Sequence, residues 1–264
     1  MNKPLFSIIT ICYNSERTIE RTIKSVLMQT YADYEYIIID GSSKDETLDI
    51  INHYEKSFDN KLYVLSEPDK GIYDAMNKGL RLAKGKIIGI VNSDDWLEPD
   101  ALALVYGKFV ELGFCKDCLY CGGIRFHKDG KAKEMMVNLK SFYKQVPFYI
   151  MSGIRHPATF VPRSVYEHIG MFNADMKLSA DQDFVLRCYF GGIKFIAIEK
   201  ILSNMSAGGL STSGERKARQ YSCNDRKLML RNFGKAGFEY YWLYYIWRLR
   251  GILKRFIVKI FYSF

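Results

Sequence analysis

Residues 87–95 read IIGIVNSDD: five small or branched apolar residues, then Asn92, Ser93 and two adjacent carboxylates, Asp94 and Asp95. A short apolar run that stops at polar turn residues reads as a buried strand. The charge sits where that strand ends. Neighbouring carboxylates repel each other, and a divalent cation with oxygen ligands would offset the repulsion. Mn2+ or Mg2+ takes one or two carboxylates and leaves its other positions to substrate phosphates. The alternative is a solvated turn in which an Asp caps the helix that follows Trp96-Leu97-Glu98-Pro99.

Reading outward, the same strand-then-turn unit recurs. Residues 6–11 form a β-branched run, after which Asn14 or Ser15 caps a helix with Ile19, Ile23, Val26 and Leu27 on one face. Residues 36–39 are a second strand that ends at Asp40-Gly41-Ser42-Ser43. Leu48, Ile51 and Tyr54 mark a helix, residues 62–65 a third strand, and residues 72–83 a helix stopped by Lys84-Gly85. A further helix runs over 99–112, with Pro99 suited to its first turn. Alternation at this spacing predicts an α/β fold, a mainly parallel sheet with helices on both faces. Such sheets bind ligands beyond the C-terminal ends of their strands. Asp40 and Asp94 therefore share one rim.

Farther along, 118–126 and 131–137 flank Lys128-Asp129-Gly130, a hairpin signal. Residues 157–161 read as extended, 163–169 and 181–190 as helices, 193–203 as a strand, and 205–214 as a Gly/Ser-rich loop.

The chain has 264 residues and a formal net charge of +9. Its length suits one large domain, or one domain with an appendage. With 48% apolar and 25% charged residues it can bury a core. No apolar run reaches the roughly 18 residues of a spanning helix, and the start lacks the basic residues and length of a signal peptide. Six cysteines without an export signal point to reduced thiols in a cytoplasm.

Residues 215–264 hold twelve Lys/Arg against three acids, so the whole net charge lies there and residues 1–214 are neutral. A neutral body argues against a nucleic-acid partner. Residues 240–264, YYWLYYIWRLRGILKRFIVKIFYSF, contain ten aromatics, five bases and no acid, with Trp242, Tyr245, Leu249, Leu253 and Phe256 at steps of three and four. This pattern predicts one or two helices lying on an anionic membrane surface. The alternative is a helix packed on the body or on a partner chain. The expected division is a domain over 1–214 and a basic amphipathic helical tail over 215–264.

Other motifs are weaker. There is no G-x-G-x-x-G, which argues against a dinucleotide dehydrogenase. Gly209 and Gly214 have phosphate-loop spacing but continue into Glu215-Arg216 instead of Lys-Ser/Thr. Cys115, Cys118 and Cys121 have metal-like spacing, yet only His127 is near enough to be a fourth ligand, so buried thiols are the better reading. His156 heads the apolar stretch in RHPATF, where a structural histidine is the commoner case. Asp181 and Asp183 start a helix. They read either as ordinary charge on the helix dipole or as a general base whose pKa the dipole keeps low.

Taken together, six motifs resemble family 2 glycosyltransferases of the GT-A fold: SIITICYN, IIIDGSSKDET, EPDKGIYDAMNKGLRLAKG, IVNSDDWLEPDAL, RHPATFVPRSVYEHIG and SADQDFVLR, in that order from Ser7 to about Ser213. The resemblance implies a nucleotide-sugar donor, most often a UDP-sugar, and an inverting transfer. Tyr13 resembles the aromatic flanking the base, and Asp40 the acid holding the nucleoside. Asn92-Ser93-Asp94 resembles the Asp-x-Asp motif, with Asp94 the metal ligand and Asp95 supporting it or holding the ribose side. Asp181 resembles the catalytic base, and Gly208, Gly209 and Ser211 a loop that closes over the donor. Trp96 and His156 fall on the acceptor side. The chain departs from the family pattern at Gly41 and Asn92, where many members have Asp, and at Ala180, where many have Glu. With the basic tail, the resemblance implies a lipid-linked glycan acceptor at the inner face of a cell membrane, in surface-polysaccharide assembly. A non-catalytic membrane-associated scaffold of the same fold is the competing expectation.

Overall fold

A computed structural model describes residues 3–150, 153–208 and 216–261 of the chain, with side chains as far as residue 253. The strands are β1 (Phe6–Cys12), β2 (Tyr34–Asp40), β3 (Leu62–Ser66), β4 (Ile87–Ile90), β5 (Trp96–Leu97), β6 (Cys118–Lys128), β7 (Lys131–Met135), β8 (Thr159–Pro162) and β9 (Lys194–Ser206). The helices are α1 (Ile19–Leu27), α2 (Thr47–Tyr54), α3 (Ile72–Leu82), α4 (Ala101–Glu111), α5 (Leu139–Gln145), α6 (Arg163–Ile169), α7 (Ala180–Phe190), α8 (Arg216–Asn232) and α9 (Gly237–Phe261).

The sheet order is β3-β2-β1-β4-β8-β6-β9-β5, with β7 paired to β6. Strands β3, β2, β1 and β4 are parallel, as the alternating pattern predicts. Every residue of β1 is buried, because helices cover both faces. Ile23 and Val26 of α1 and Val105 of α4 fill one face. Met76 and Leu80 of α3, with Phe184 and Leu186 of α7, fill the other.

Beyond β4 the sheet is mixed rather than mainly parallel. β8 runs antiparallel to both β4 and β6, while β6 and β9 are parallel. Where β8 crosses β4, a Cβ on Gly89 would lie 2.6 Å from Cε1 of Phe160, so the ring of β8 occupies the room the glycine leaves.

Several local expectations shift. Asn14 and Ser15 do not cap α1; Thr18 precedes it, while Ser15 O accepts from the amides of Thr18 and Ile19 in the turn before. Pro99 precedes α4 rather than starting it, because Trp96 and Leu97 are drawn into pairing with Asn204 and Ser203 of β9. His156-Pro157-Ala158 form a 3-10 turn, and only then does β8 begin. The hairpin between β6 and β7 turns at Asp129 and Gly130, both with positive φ, 50° and 72°, as a primed turn requires. Cys118 and Cys121 are buried free thiols, and burial pushes both up to about 12.

The boundary at 214/215 does not divide the packing. Met229 and Leu230 of α8 and Leu243 and Tyr244 of α9 belong to the same core as α3 and α7. Basic groups of α8 lie over rings of α9: Arg226 over Trp247 at 5.9 Å, Lys227 over Tyr244 at 5.5 Å, Arg231 over Tyr240 at 6.0 Å. One face of α9 is thereby turned inward. The opposite face, with Trp242, Tyr245, Leu249 and Leu253, is more than half exposed. Among the described residues, no helix is long and apolar enough to cross a membrane.

Candidate active site

The parallel register sets Cys12 beside Asp40, so the loops after β1 and β2 leave the sheet at one level. They are stitched by short polar side chains. Asn14 adopts φ 48°, a left-handed conformation that Asn tolerates. There its amide donates to Ser43 Oγ at 2.8 Å and its Oδ1 accepts from the amide of Lys44 at 2.9 Å. The amide of Ser15 donates to Thr47 Oγ1 at 2.7 Å. Ser15 Oγ lies 2.8 Å from Ser93 Oγ, which joins this rim to the acidic loop after β4.

Asp40 is fully buried. Its carboxylate accepts from Ser43 Oγ at 2.5 Å, the Ser43 amide at 3.1 Å and Ser66 Oγ at 2.6 Å. It therefore fixes the floor of the rim, with its oxygens engaged by its own chain. Tyr13 is 62% exposed beside it. A Cβ on Gly41 would meet Asp69 Oδ2 at 2.5 Å and Tyr13 Cδ2 at 3.3 Å, so the space of the missing side chain is held by Asp69.

In the acidic loop the two carboxylates have separate positions. Asp95 is buried, and its Oδ1 accepts from the amide of Ser206 at 3.1 Å, tying the loop to the end of β9. Burial, then the neighbouring Asp94 charge, pushes it up to about 8. Asp94 is partly exposed, and burial raises its pKa against the pull of Arg21. Arg21 and Thr22 of α1 hold the loop from below. Arg21 donates to Asp94 O at 2.9 Å and Ser206 Oγ at 3.0 Å, and Thr22 Oγ1 donates to Asp95 O at 2.6 Å.

These residues suit a hard divalent ion. Asp94 offers a partly exposed carboxylate, and Asn92 Oδ1 is buried without a hydrogen-bond partner among the described residues. Among the described residues no three His, Cys, Asp or Glu converge, so the protein is no closed cage. An ion completed by substrate phosphates matches one carboxylate.

Asp181, at the start of α7, approaches from the other side of the sheet end. Tyr73 of α3 donates its hydroxyl to Asp181 Oδ1 at 3.2 Å. Burial raises the Asp181 pKa, against the lowering effects of His156 and Tyr73. The expected lowering is not seen: burial outweighs the hydrogen bonds and the His156 charge that favour the carboxylate. His156 is itself pushed down by burial, and its Nε2 is buried without a partner. Its ring meets Phe172 edge-on at 5.8 Å. Asn77 of α3 clamps that segment, exchanging hydrogen bonds with the carbonyl and amide of Phe172 at 2.9 and 3.0 Å. Asp183 is tied to Arg187 at 2.8 Å and serves packing.

Asp94, Ser93, Tyr13 and Asp40 are thus linked through the stitched loops, and His156 joins Asp181. Trp96 is not with His156. Its ring lies under Arg21, 3.6 Å from the guanidinium carbon to the centroid, and against His127 at 4.7 Å. Together with Glu98 and Arg125 these residues line a separate cavity of about 580 Å3 that none of Asp94, His156 and Asp181 reaches. Gly208 is described, but Gly209 and Ser211 lie outside the described residues. Sequence reasoning missed Tyr73, Asn77 and Asp69, although all three stand in the EPDKGIYDAMNKG stretch it singled out, and it missed Arg21 and Thr22.

The sequence model of the family described as Glycosyl transferase family 2 matches residues 7–170. A Mycobacterium tuberculosis protein named PGL/p-HBAD biosynthesis glycosyltransferase is 32% identical over 190 residues, covering 72% of this chain and 71% of its own. The fold is similar to that of S. aureus TarS 1-349 in complex with UDP-GlcNAc, with a TM-score of 0.68 and 20% identity over 90% of this chain and 69% of that one. It is also similar to a mannosyltransferase from Pyrobaculum calidifontis in complex with GDP-Man and Mn2+, with a TM-score of 0.64 and 19% identity over 93% of this chain and 69% of that one.

Proposed function

The chain belongs to glycosyl transferase family 2 and is a glycosyltransferase of the GT-A type, and from that premise we propose that it moves a sugar from a UDP-sugar, with inversion, to a hydroxyl of a lipid-linked glycan at the inner face of a membrane during surface-polysaccharide synthesis. The observation that carries this reading is the Tyr73–Asp181 contact: a carboxylate raised by burial and oriented by a phenol. A base with a raised pKa takes a proton more readily once ionised.

In this reading Asp181 accepts the proton of the acceptor hydroxyl as its oxygen attacks the anomeric carbon. The attack comes from the face opposite the departing diphosphate. One displacement inverts the centre through an oxocarbenium-like transition state. Tyr73 keeps Asp181 aimed, and His156 stands on the acceptor side. Tyr13, Asp40, Asn92 and Ser93 shape the donor end, and Asp95 keeps the acidic loop against β9. Asp94, with Asn92 beside it, would hold Mn2+ or Mg2+, which when bound neutralises the leaving diphosphate as a Lewis acid. The donors bound by the two structural neighbours, UDP-GlcNAc and GDP-Man with Mn2+, support the donor class and the ion.

The membrane reading rests on the outer face of α9. Phe238, Tyr241, Trp242, Tyr245 and Leu249 form an exposed stripe, and Arg248 and Arg250 lie within residues 240–264, which hold no acid. Aromatic rings favour the bilayer interface and cations the anionic headgroups. Because the inner face of α9 is part of the core, the test leaves the helix in place. Trp242→Ser combined with Tyr245→Ser and Leu249→Ser abolishes sedimentation with vesicles containing anionic lipid while the melting temperature holds. Undiminished sedimentation refutes the membrane reading.

The catalytic reading is tested with purified protein, Mn2+ and a panel of UDP-Glc, UDP-Gal, UDP-GlcNAc and GDP-Man, by thermal shift and by nucleoside-diphosphate release. Asp181→Asn keeps the donor-induced shift and loses turnover by roughly 10²-fold or more, the range for an absent general base. Turnover close to wild type in that variant removes Asp181 from the role.

A further inference from the structure

Helix α7 carries Asp181 in its first turn, yet its own N-cap residue, Ser179, makes no side-chain cap. The amides at the entry to the helix end instead on a carboxylate from far along the chain. Asp225 of α8 accepts from the Lys177 amide at 3.1 Å, from the Leu178 amide at 2.6 Å and from the Ser179 amide at 2.9 Å. Asp225 is 3% exposed. Three successive main-chain donors converging on one buried carboxylate are charge-assisted bonds, about twice as strong as neutral ones. The anion also stands at the positive end of α7.

Asp225 is in turn rigidly mounted. Its neighbour Arg226, also 3% exposed, donates to the carbonyls of Tyr149 and Phe148, the latter at 3.0 Å, and burial lowers its pKa to about 10. Met229 and Leu230, one turn on, sit in the core. α8 is therefore fixed on two sides, and its carboxylate sets the path of residues 177–179 immediately before Ala180 and Asp181.

We infer that Asp225 is a positioning residue for Asp181: it fixes the approach of α7, so that the proposed base meets the acceptor hydroxyl at productive distance. The inference rests on the reading of Asp181 as the base. It assigns a role in the transfer to a helix outside the 7–170 span of the family match. Displacing a reacting group by about 1 Å can cost roughly 10²-fold in rate.

The test uses the full chain and two variants. Asp225→Ala orphans all three amides. Asp225→Asn keeps the shape and can still accept from Leu178 and Ser179 with one oxygen. Hydrogen exchange read by mass spectrometry speeds up over residues 177–181 in both variants. With the panel donor that shifts the wild type most, kcat falls by about 10²-fold in Asp225→Ala and by about tenfold in Asp225→Asn, while donor KM and calorimetric UDP affinity with Mn2+ hold. In an Asp181→Asn background, Asp225→Ala produces no further loss, because a positioning residue acts through the group it positions. Unchanged exchange at 177–181, an undiminished kcat, or an equal loss on the Asp181→Asn background overturns the inference. If Asp225→Ala fails to fold, Asp225→Asn decides alone by the same readings. Near-normal turnover in Asp181→Asn alone defeats the catalytic reading instead, so the two failures are distinguishable.

Discussion

Asp94 and Asp181, the two carboxylates of the proposed site, are held in different ways. The loop of Asp94 follows a parallel strand and is held by several short contacts: Ser15 on Ser93, Thr22 on the carbonyls of Ser93 and Asp95, Arg21 on the Asp94 carbonyl, and the Ser206 amide on Asp95. Each contributes about 1 kcal/mol and several act together. Asp181 stands on a helix fixed at few points: Tyr73 from α3, the Asn77 clamp on Phe172, and Asp225 from α8. The donor side is redundant, and the catalytic side depends on a few long-range contacts. Loss of any one stitch should therefore weaken binding only a little, whereas loss of a contact to Asp181 should cut turnover sharply.

Perturbing each side separates the two. Asp94→Ala has the largest expected effect, because it removes the ionic anchor that the stitched loops present. UDP binding loses its dependence on Mn2+ and turnover falls by about 100-fold or more, on the scale of the several kcal/mol a Lewis-acid ion contributes. Calorimetry showing wild-type Mn2+ dependence would contradict the assignment.

Tyr73→Phe comes next. It deletes one hydroxyl, and a hydrogen bond to a charged group is worth about 1.5–3 kcal/mol, so kcat drops by roughly tenfold. The pH profile carries the sign. The Tyr73 hydroxyl lowers the Asp181 pKa and the base works ionised. Its loss lets the pKa rise, so the acid limb of kcat moves to higher pH. A limb that stays or moves down would break the contrast.

Ser15→Ala is the smallest. Its bond to Ser93 is one stitch among several, so donor KM rises by about threefold and kcat holds. A loss of kcat as large as that from Tyr73→Phe would show that the donor side is no more redundant than the catalytic side.

The same contrast governs how much could be read from the chain. The parallel half was legible because β1 and β2 are isoleucine-rich strands, buried on both faces, and because Asp40 ends its strand and Asp94 lies only four residues beyond β4. Residues that act within a few positions of a strand end announce themselves. In the mixed half the hairpin at Asp129-Gly130 was legible, but the antiparallel pairing of β8 with β4 was not, since it joins residues such as Gly89 and Phe160 across 71 positions of chain that no local pattern encodes. The resemblance put Trp96 on the acceptor side; in the structure its strand pairs with β9 and its ring packs against Arg21 and His127. Asp225 gave no signal because its partners are main-chain amides, which every sequence contains. The dipole argument for Asp181 failed because it weighed a local field and could not see the burial imposed by distant elements. In α9 the periodic stripe at 242, 245 and 249 was visible. The second stripe at 240, 244 and 247, which faces α8, was hidden in the same aromatic-rich run.

The grip of α8 on the core sets where this protein can be recombined with its relatives. A chimera that exchanges the nucleotide-binding half alone keeps Asp225 and Arg226 with the loops they hold, provided the junction falls between β5 and β6. A junction at residue 214 would ask a foreign helix to meet amides shaped for another carboxylate. The C-terminal helices therefore travel with residues 148–149 and 177–179, and the contacts of Tyr73 and Asn77 are the ones such a chimera must match across its junction.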